Sequence, residues 1–404
     1  MNLARSTTCF LVTAAGLGLA ACGSGGSSSS GGGSSANAPT TVKIAAEGPF
    51  TGDQASLGAG ALQAIQLAVK DFNKAGGVNG TQVQLLTWDD QHSAQVAQTL
   101  QAQGTADPTV LGIVGPVNSG VVLGTAPSLQ SANPPLPFIS ESASNVKVTD
   151  SSWAVAHRVC ARDDQQGPAD ARFMIDQGAK GVYLMDAKSD YSIALADETE
   201  QYLKVHNIPT TRDSVTPGQT DFGTIISNIK RSGADWVYFA DEGPEAAPLV
   251  TEMKQQSLII GQNIQFMGTD GEEDPSIITK SQGAFDGAYA TNITADPAGV
   301  SSAAATNYVT EFKTAYGADS LAKAGPYYGS GYEAAQVMLQ AIKDSPVKNG
   351  KISRADVNSR LASGTFSTIF GAVKFNSKGD IEGGGIFVFQ AKGDQMTVLK
   401  QVTG

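Results

Sequence analysis

Apolar positions along the chain follow two periods in alternation from residue 41 onward. Residues 41–47 (TVKIAAE) form a short apolar run of strand length. After a Gly/Pro turn, Leu62, Ile65, Val69 and Phe72 recur at spacings of three and four, which predicts a helix over 56–74 with one apolar face. The unit repeats: 81–88 (TQVQLLTW) precedes a helix at 93–103, 109–115 (TVLGIVG) precedes one at 119–130, and 136–140 (LPFIS) follows. A second series starts with a helix at 168–177. Strands at 181–187 (GVYLMDA), 211–215 (TRDSV), 235–241 (DWVYFAD) and 264–270 (IQFMGTD) then alternate with helices at 191–206, 222–230 and 244–256. Such alternation implies parallel sheets covered by helices on both faces, and two series imply two α/β domains. The tail reads differently, as helices at 303–316 and 326–343 followed by short strands at 371–376, 386–390 and 396–400. It has too few strands for a core of its own, so it is expected to complete the other two.

The N-terminus follows neither period. A base at Arg5, an apolar run over 10–21 and small residues before Cys22 have the layout of a secretory signal. The run falls short of the ~20 apolar residues a membrane-spanning helix needs, so residues 1–21 are read as a removable leader. Residues 23–38 contain only Gly, Ser, Ala and Asn and no charge, a flexible-coil composition. With the segment extended to residue 40, its eighteen residues would reach about 23 Å.

Composition narrows the function. About 380 residues after the leader suit two domains. The chain carries 38 Asp and Glu against 27 Lys and Arg, a net charge of −11, and shows no basic stripe, which argues against a nucleic-acid partner. Of three cysteines, Cys9 lies in the leader and Cys22 at its end, so Cys160 stands alone and reads as a small buried apolar residue. The motifs G-x-S-x-G, H-E-x-x-H, C-x-x-C and G-x-x-x-x-G-K-[ST] are absent, and the three histidines form no triad pattern; no enzyme, metal or cofactor is expected.

In doubly wound sheets, ligands bind beyond the carboxyl ends of the strands. Those ends carry Ser119, Ser142 and Ser144 in the first series and Asp186, Asp241, Glu242 and Asp270 in the second. Hydroxyls and helix N-termini suit an anion, whereas carboxylates suit a cation, so a cleft between the two walls would fit a zwitterion. Each position has a plainer reading: Ser119 as a helix cap, Asp89 and Asp90 as cap or loop acids, Asp270 as a turn acid, and Trp88, Tyr191 and Phe239 as core.

The segments 48–80 (GPFTGDQASLGAGALQAIQLAVKDFNKAGGVNG), 88–97 (WDDQHSAQVA), 112–120 (GIVGPVNSG), 138–144 (FISESAS), 162–174 (RDDQQGPADARFM), 220–230 (TDFGTIISNIK), 266–271 (FMGTDG) and 371–380 (GAVKFNSKGD) occur in order. Together they resemble the leucine/isoleucine/valine-binding type of ABC-transporter substrate-binding proteins, the type I periplasmic binding proteins. Leu19-Ala20-Ala21-Cys22 likewise resembles a bacterial lipobox, which implies a lipid on Cys22.

The family resemblance implies two Rossmann-like lobes joined by a three-strand hinge: lobe 1 from 41–160 plus 291–385, lobe 2 from 161–290 plus 386–404. It implies that Ser119, Ser142 and Ser144 hold a ligand carboxylate, that Asp270 holds its ammonium, and that Tyr191 covers it. Two positions depart from the pattern. Leu57 stands where branched-chain binders carry Tyr, and Glu242 replaces an aromatic, which points to a polar or more cationic ligand. The expected function is a monomeric, membrane-anchored, extracytoplasmic receptor delivering a small ligand, an amino acid above all, to an ABC permease and its ATPase. The alternative is a sensing module for amides, urea or aromatic acids, uncoupled from import.

Overall fold

The computed structural model describes residues 38–402. The leader 1–21, Cys22, the spacer up to residue 37 and residues 403–404 lie outside the described residues. No described helix is long and apolar enough to cross a membrane.

Five strands, β1 (Val42–Gly48), β2 (Val83–Asp89), β3 (Val110–Val114), β4 (Phe138–Ser140) and β5 (Ala156–Arg158), build an all-parallel sheet in the order β2-β1-β3-β4-β5. The helices between them are α1 (Ala55–Lys74), α2 (Ala94–Ala106), α3 (Ser119–Ser131) and the single turn α4 (Lys147–Asp150). Every residue of β3 is buried, as a strand covered on both faces requires, whereas edge strand β2 exposes Gln84 and Thr87.

The second sheet has seven strands. Parallel β6 (Val182–Asp186), β7 (Thr210–Ser214), β8 (Trp236–Ala240), β9 (Gln265–Gly268) and β10 (Tyr289–Asn292) alternate with α5 (Asp163–Asp176), α6 (Asp190–Val205), α7 (Gly223–Ser232), α8 (Ala246–Gln255) and α9 (Pro275–Lys280). The tail adds α10 (Ala303–Tyr316), α11 (Tyr328–Lys343), α12 (Arg354–Ser363) and the hairpin β11 (Phe366–Thr368) to β12 (Gly371–Val373). It ends in β13 (Ile386–Lys392), which pairs antiparallel with β10, and β14 (Gln395–Val402), which pairs antiparallel with β13. The second sheet is therefore mixed, in contrast to the purely parallel sheets that alternation alone implied.

Tail residues do complete the other cores. Tyr308, Phe312, Val337, Met338, Val357 and Phe375 pack in one cluster with Ile44 of β1 and Ile65 and Val69 of α1, while Val388 packs on the second sheet. The chain passes between the sheets three times, and the passages lie side by side: Ala161 N donates to the Ile293 carbonyl at 3.1 Å, and Cys160, Ala161, Ile293 and Ile386 share an apolar cluster. Cys160 is accordingly buried and unpaired.

Element boundaries deviate where capping chemistry competes with the apolar pattern. Helix α5 starts at Asp163, five residues before Pro168, because Asp164 in its first turn favours the positive helix N-terminus and Gln165 reaches back to the Arg162 amide at 3.3 Å. The short β5, β10 and β11 and the polar α12 carried too little periodicity to be read from sequence.

Candidate functional site

A narrow cavity lies between the carboxyl ends of the two sheets, lined by Leu57, Val117, Asn118, Ser119, Ser142, Tyr191, Glu242, Asp270 and Tyr327. Five of the six expected ligand contacts thus meet in one place. Each is positioned by a specific local device.

Ser119 opens α3 after a turn that only glycine can make. Gly115 has φ +115°, and a Cβ there would strike the Glu47 carbonyl. The Ser119 hydroxyl accepts from the Asn145 amide at 3.2 Å, and Asn118 occupies the cap position without capping through its side chain. Ser142 donates to the Val117 carbonyl at 2.8 Å. The loop that carries it is pinned by the fully buried Arg158, which donates to the carbonyls of Ala143 and Asn145 at 3.0 and 2.9 Å and to Asp380 Oδ1 at 2.7 Å. Helix N-terminal amides lack partners within their own helix, so this wall presents donors suited to an anion.

The opposite wall is acidic. Asp270 follows β9, and the adjoining Gly271 allows the close approach of the Asp241 carbonyl. Its carboxylate accepts from Tyr191 Oη at 2.6 Å, Tyr327 Oη at 2.7 Å and Gln166 Nε2 at 2.8 Å. Burial nevertheless dominates these three neutral donors and holds the Asp270 pKa above its ordinary value. A positive charge delivered to this carboxylate would therefore be favoured.

Glu242 is shifted the other way. Burial would raise it, but His92, Asn118 and Ser189 outweigh that effect and lower its pKa. Asn118 Nδ2 donates to Glu242 Oε2 at 3.0 Å and to Gln54 Oε1 at 2.8 Å, while His92 Nε2 stands 3.6 Å from Glu242 Oε1.

The sixth expected residue, Ser144, does not line the cavity. It is fully buried and sits against the start of α5, where Asp163 N donates to its carbonyl at 3.0 Å. Trp88 and Phe239 belong to apolar clusters. Asp89 and Asp90 serve their loop, accepting from the amides of Phe50 and His92, while Ser93 caps α2. Sequence reasoning missed Gln54, His92, Asn118, Gln166 and Tyr327. Asn118 was legible as the neighbour of Ser119, but Tyr327 comes from the tail, where no strand end marked it. Among the described residues no group of His, Cys, Asp and Glu has the arrangement of a metal site.

The periplasmic binding protein family model matches residues 41–395. An amino acid binding protein of Pseudomonas aeruginosa is 30% identical over 244 residues, 60% of this chain and 64% of its own length, so the chain spans just under two thirds of that relative. The Leu/Ile/Val-binding protein homolog 1 of Brucella suis is 29% identical over 336 residues, covering 82% of this chain and 85% of its own. The solved leucine binding protein of Thermotoga maritima superposes with a TM-score of 0.80 at 24% identity, over 90% of this chain and 99% of that one, and shares the fold.

Proposed function

The chain belongs to the periplasmic binding protein family, and from that premise we propose that it is an extracytoplasmic receptor that captures a small amino acid and hands it to an ABC importer. The observation that carries this reading is the polarity of the cavity. Ser119 and Ser142 at one wall suit a carboxylate, and Asp270 at the other suits an ammonium. No covalent step is needed. Both lobes, 41–160 plus 291–385 and 161–290 plus 386–404, contribute to the lining, Tyr191, Glu242 and Asp270 coming from the second and the other residues from the first, so a ligand bonds fully only when both lobes meet around it, and hinge motion at the three side-by-side passages would bring them together.

Among the described residues the cavity's lining carboxylates are Asp270 and Glu242, with no Lys or Arg, which favours a ligand that is zwitterionic or cationic. Lipidation at Cys22 would hold the receptor, as a monomer, beside its permease and ATPase; two or more acyl chains suffice for stable anchoring.

A thermal-shift screen against the amino acids, their amides, urea and aromatic acids tests the reading. A ligand at ~100 times its Kd adds ~2.7 kcal/mol to stability. Stabilisation by at least one amino acid supports the proposal, and stabilisation by aromatic acids alone rejects it.

A further inference from the structure

Glu242 lines two spaces. One is the cavity above; the other is bordered by Asp53, Gln54, Leu57, Pro244 and Lys280 and reaches the exposed Asp53 and Lys280 at the rim. Its carboxylate lies where the two meet. It follows β8 in the second sheet, yet beside Ser189, which follows β6 of its own sheet, two of its side-chain partners follow strands of the first: Asn118 at 3.0 Å and His92 at 3.6 Å.

The partners are held in place. Asn118 also donates to Gln54 at 2.8 Å, and Gln91 and His92 both adopt left-handed backbone conformations, φ +52° and +60°, with the His92 amide bonded to Asp90 Oδ1 at 2.9 Å. Two consecutive non-glycine residues in that region store strain, which surrounding structure must support.

We propose that Glu242, Asn118 and His92 form a clasp that shuts the rim over the captured ligand, and that the clasp tightens when His92 carries a proton. The inference rests on the receptor reading for the ligand, but not for the clasp itself. Glu242 thereby becomes a positioning residue for closure.

The titratable groups facing His92 are Glu242 across the cleft, Asp53 from the loop after β1 and Asp90 from its own loop; Asp241 and Tyr327 are the further ionisable neighbours of Glu242. Burial opposes the charged imidazole, but the Glu242 carboxylate 3.6 Å away and the surrounding carboxylates outweigh it and leave the His92 pKa above its ordinary value. With Glu242 lowered and His92 raised, the pairing is complete below the open-state His pKa of ~6.5 and above the ordinary Glu value of ~4.3. It is lost as pH rises through the His92 value of the closed state.

The test needs no solute. Spin labels placed through ketone-bearing residues at the exposed Gln103 and Gln201, one on α2 and one on α6, report the inter-lobe distance in the free full-length protein. The closed-to-open ratio should be about fivefold higher at pH 5.5 than at pH 8.5, the upper range for a partly exposed ion pair. H92Q and E242Q should abolish the pH dependence, and E242Q keeps an acceptor for Asn118, which guards against simple disruption of the rim. A wild-type ratio equal at the two pH values, or an H92Q protein with the wild-type slope, overturns the clasp. The thermal-shift screen decides the receptor reading separately.

Discussion

Replacing Asp270 by Asn separates ligand capture from fold stability. The side chain is 1% exposed and its shape is kept by the substitution. In the free protein its charge is sustained only by neutral donors, from Tyr191, Tyr327 and Gln166, and burial holds its pKa up. Neutralising it should therefore leave the free protein's Tm within a few degrees of wild type. For the bound ligand the effect is larger, because a buried ammonium that loses its counter-charge forfeits about 3–5 kcal/mol. At 1.4 kcal/mol per factor of ten, that weakens binding by roughly 100- to 4,000-fold. The assay uses the amino acid that most stabilises the wild type. An unfolding entropy of about 2.1 cal/mol/K per residue over the 365 described residues gives about 0.8 kcal/mol/K, so a gain of ~2.7 kcal/mol raises Tm by about 3–4 °C. D270N should show no shift at the same concentration, and calorimetric titration should give the Kd change directly. A Kd within threefold of wild type would refute the ammonium assignment.

Tyr327→Phe removes one donor from the same carboxylate and should weaken that amino acid by about fivefold, worth ~1 kcal/mol, with little change in Tm; unchanged affinity in calorimetry would detach Tyr327 from the site. Stability should fall as pH rises from 5 to 8, because burial pushes Glu141 and Asp163 up to about 8. Each stays protonated in the folded protein while the unfolded chain releases its proton above ~4.3, so the stability is complete below that value and lost through pH 8, at up to ~1.4 kcal/mol per pH unit and group. Urea midpoints at pH 5.5 and 8.5 check this, and a midpoint at 8.5 equal to or above that at 5.5 contradicts it. Gly60→Ala should destabilise by about 1–3 kcal/mol, since a Cβ on α1 would collide with the Ala324 backbone of the tail; urea denaturation with an unchanged midpoint would mean that the two segments separate without cost.

Local order was written into the sequence wherever side chains repeat with a period. The runs at 42–48, 110–114 and 236–240 are strands, and the 3–4 spacing from Leu62 to Phe72 is a helix, because burying those faces outweighs any local alternative. Strand-end chemistry was legible too: Ser119, Ser142, Glu242 and Asp270 stand out as polar groups where apolar runs stop. Tertiary structure alone decided what those groups meet. Tyr327 reaches Asp270 across 57 residues, and Asn118 reaches Glu242 across 124, distances over which no periodicity operates. Ser144 and Ser142 look alike in sequence, yet only Ser142 faces the cavity, since the loop pinned by Arg158 turns Ser144 toward α5. The antiparallel β13–β14 hairpin likewise became visible only when β10 offered it an edge. A sequence specifies which faces must be buried; the packing of the two lobes specifies which buried and half-buried polar groups become one another's partners.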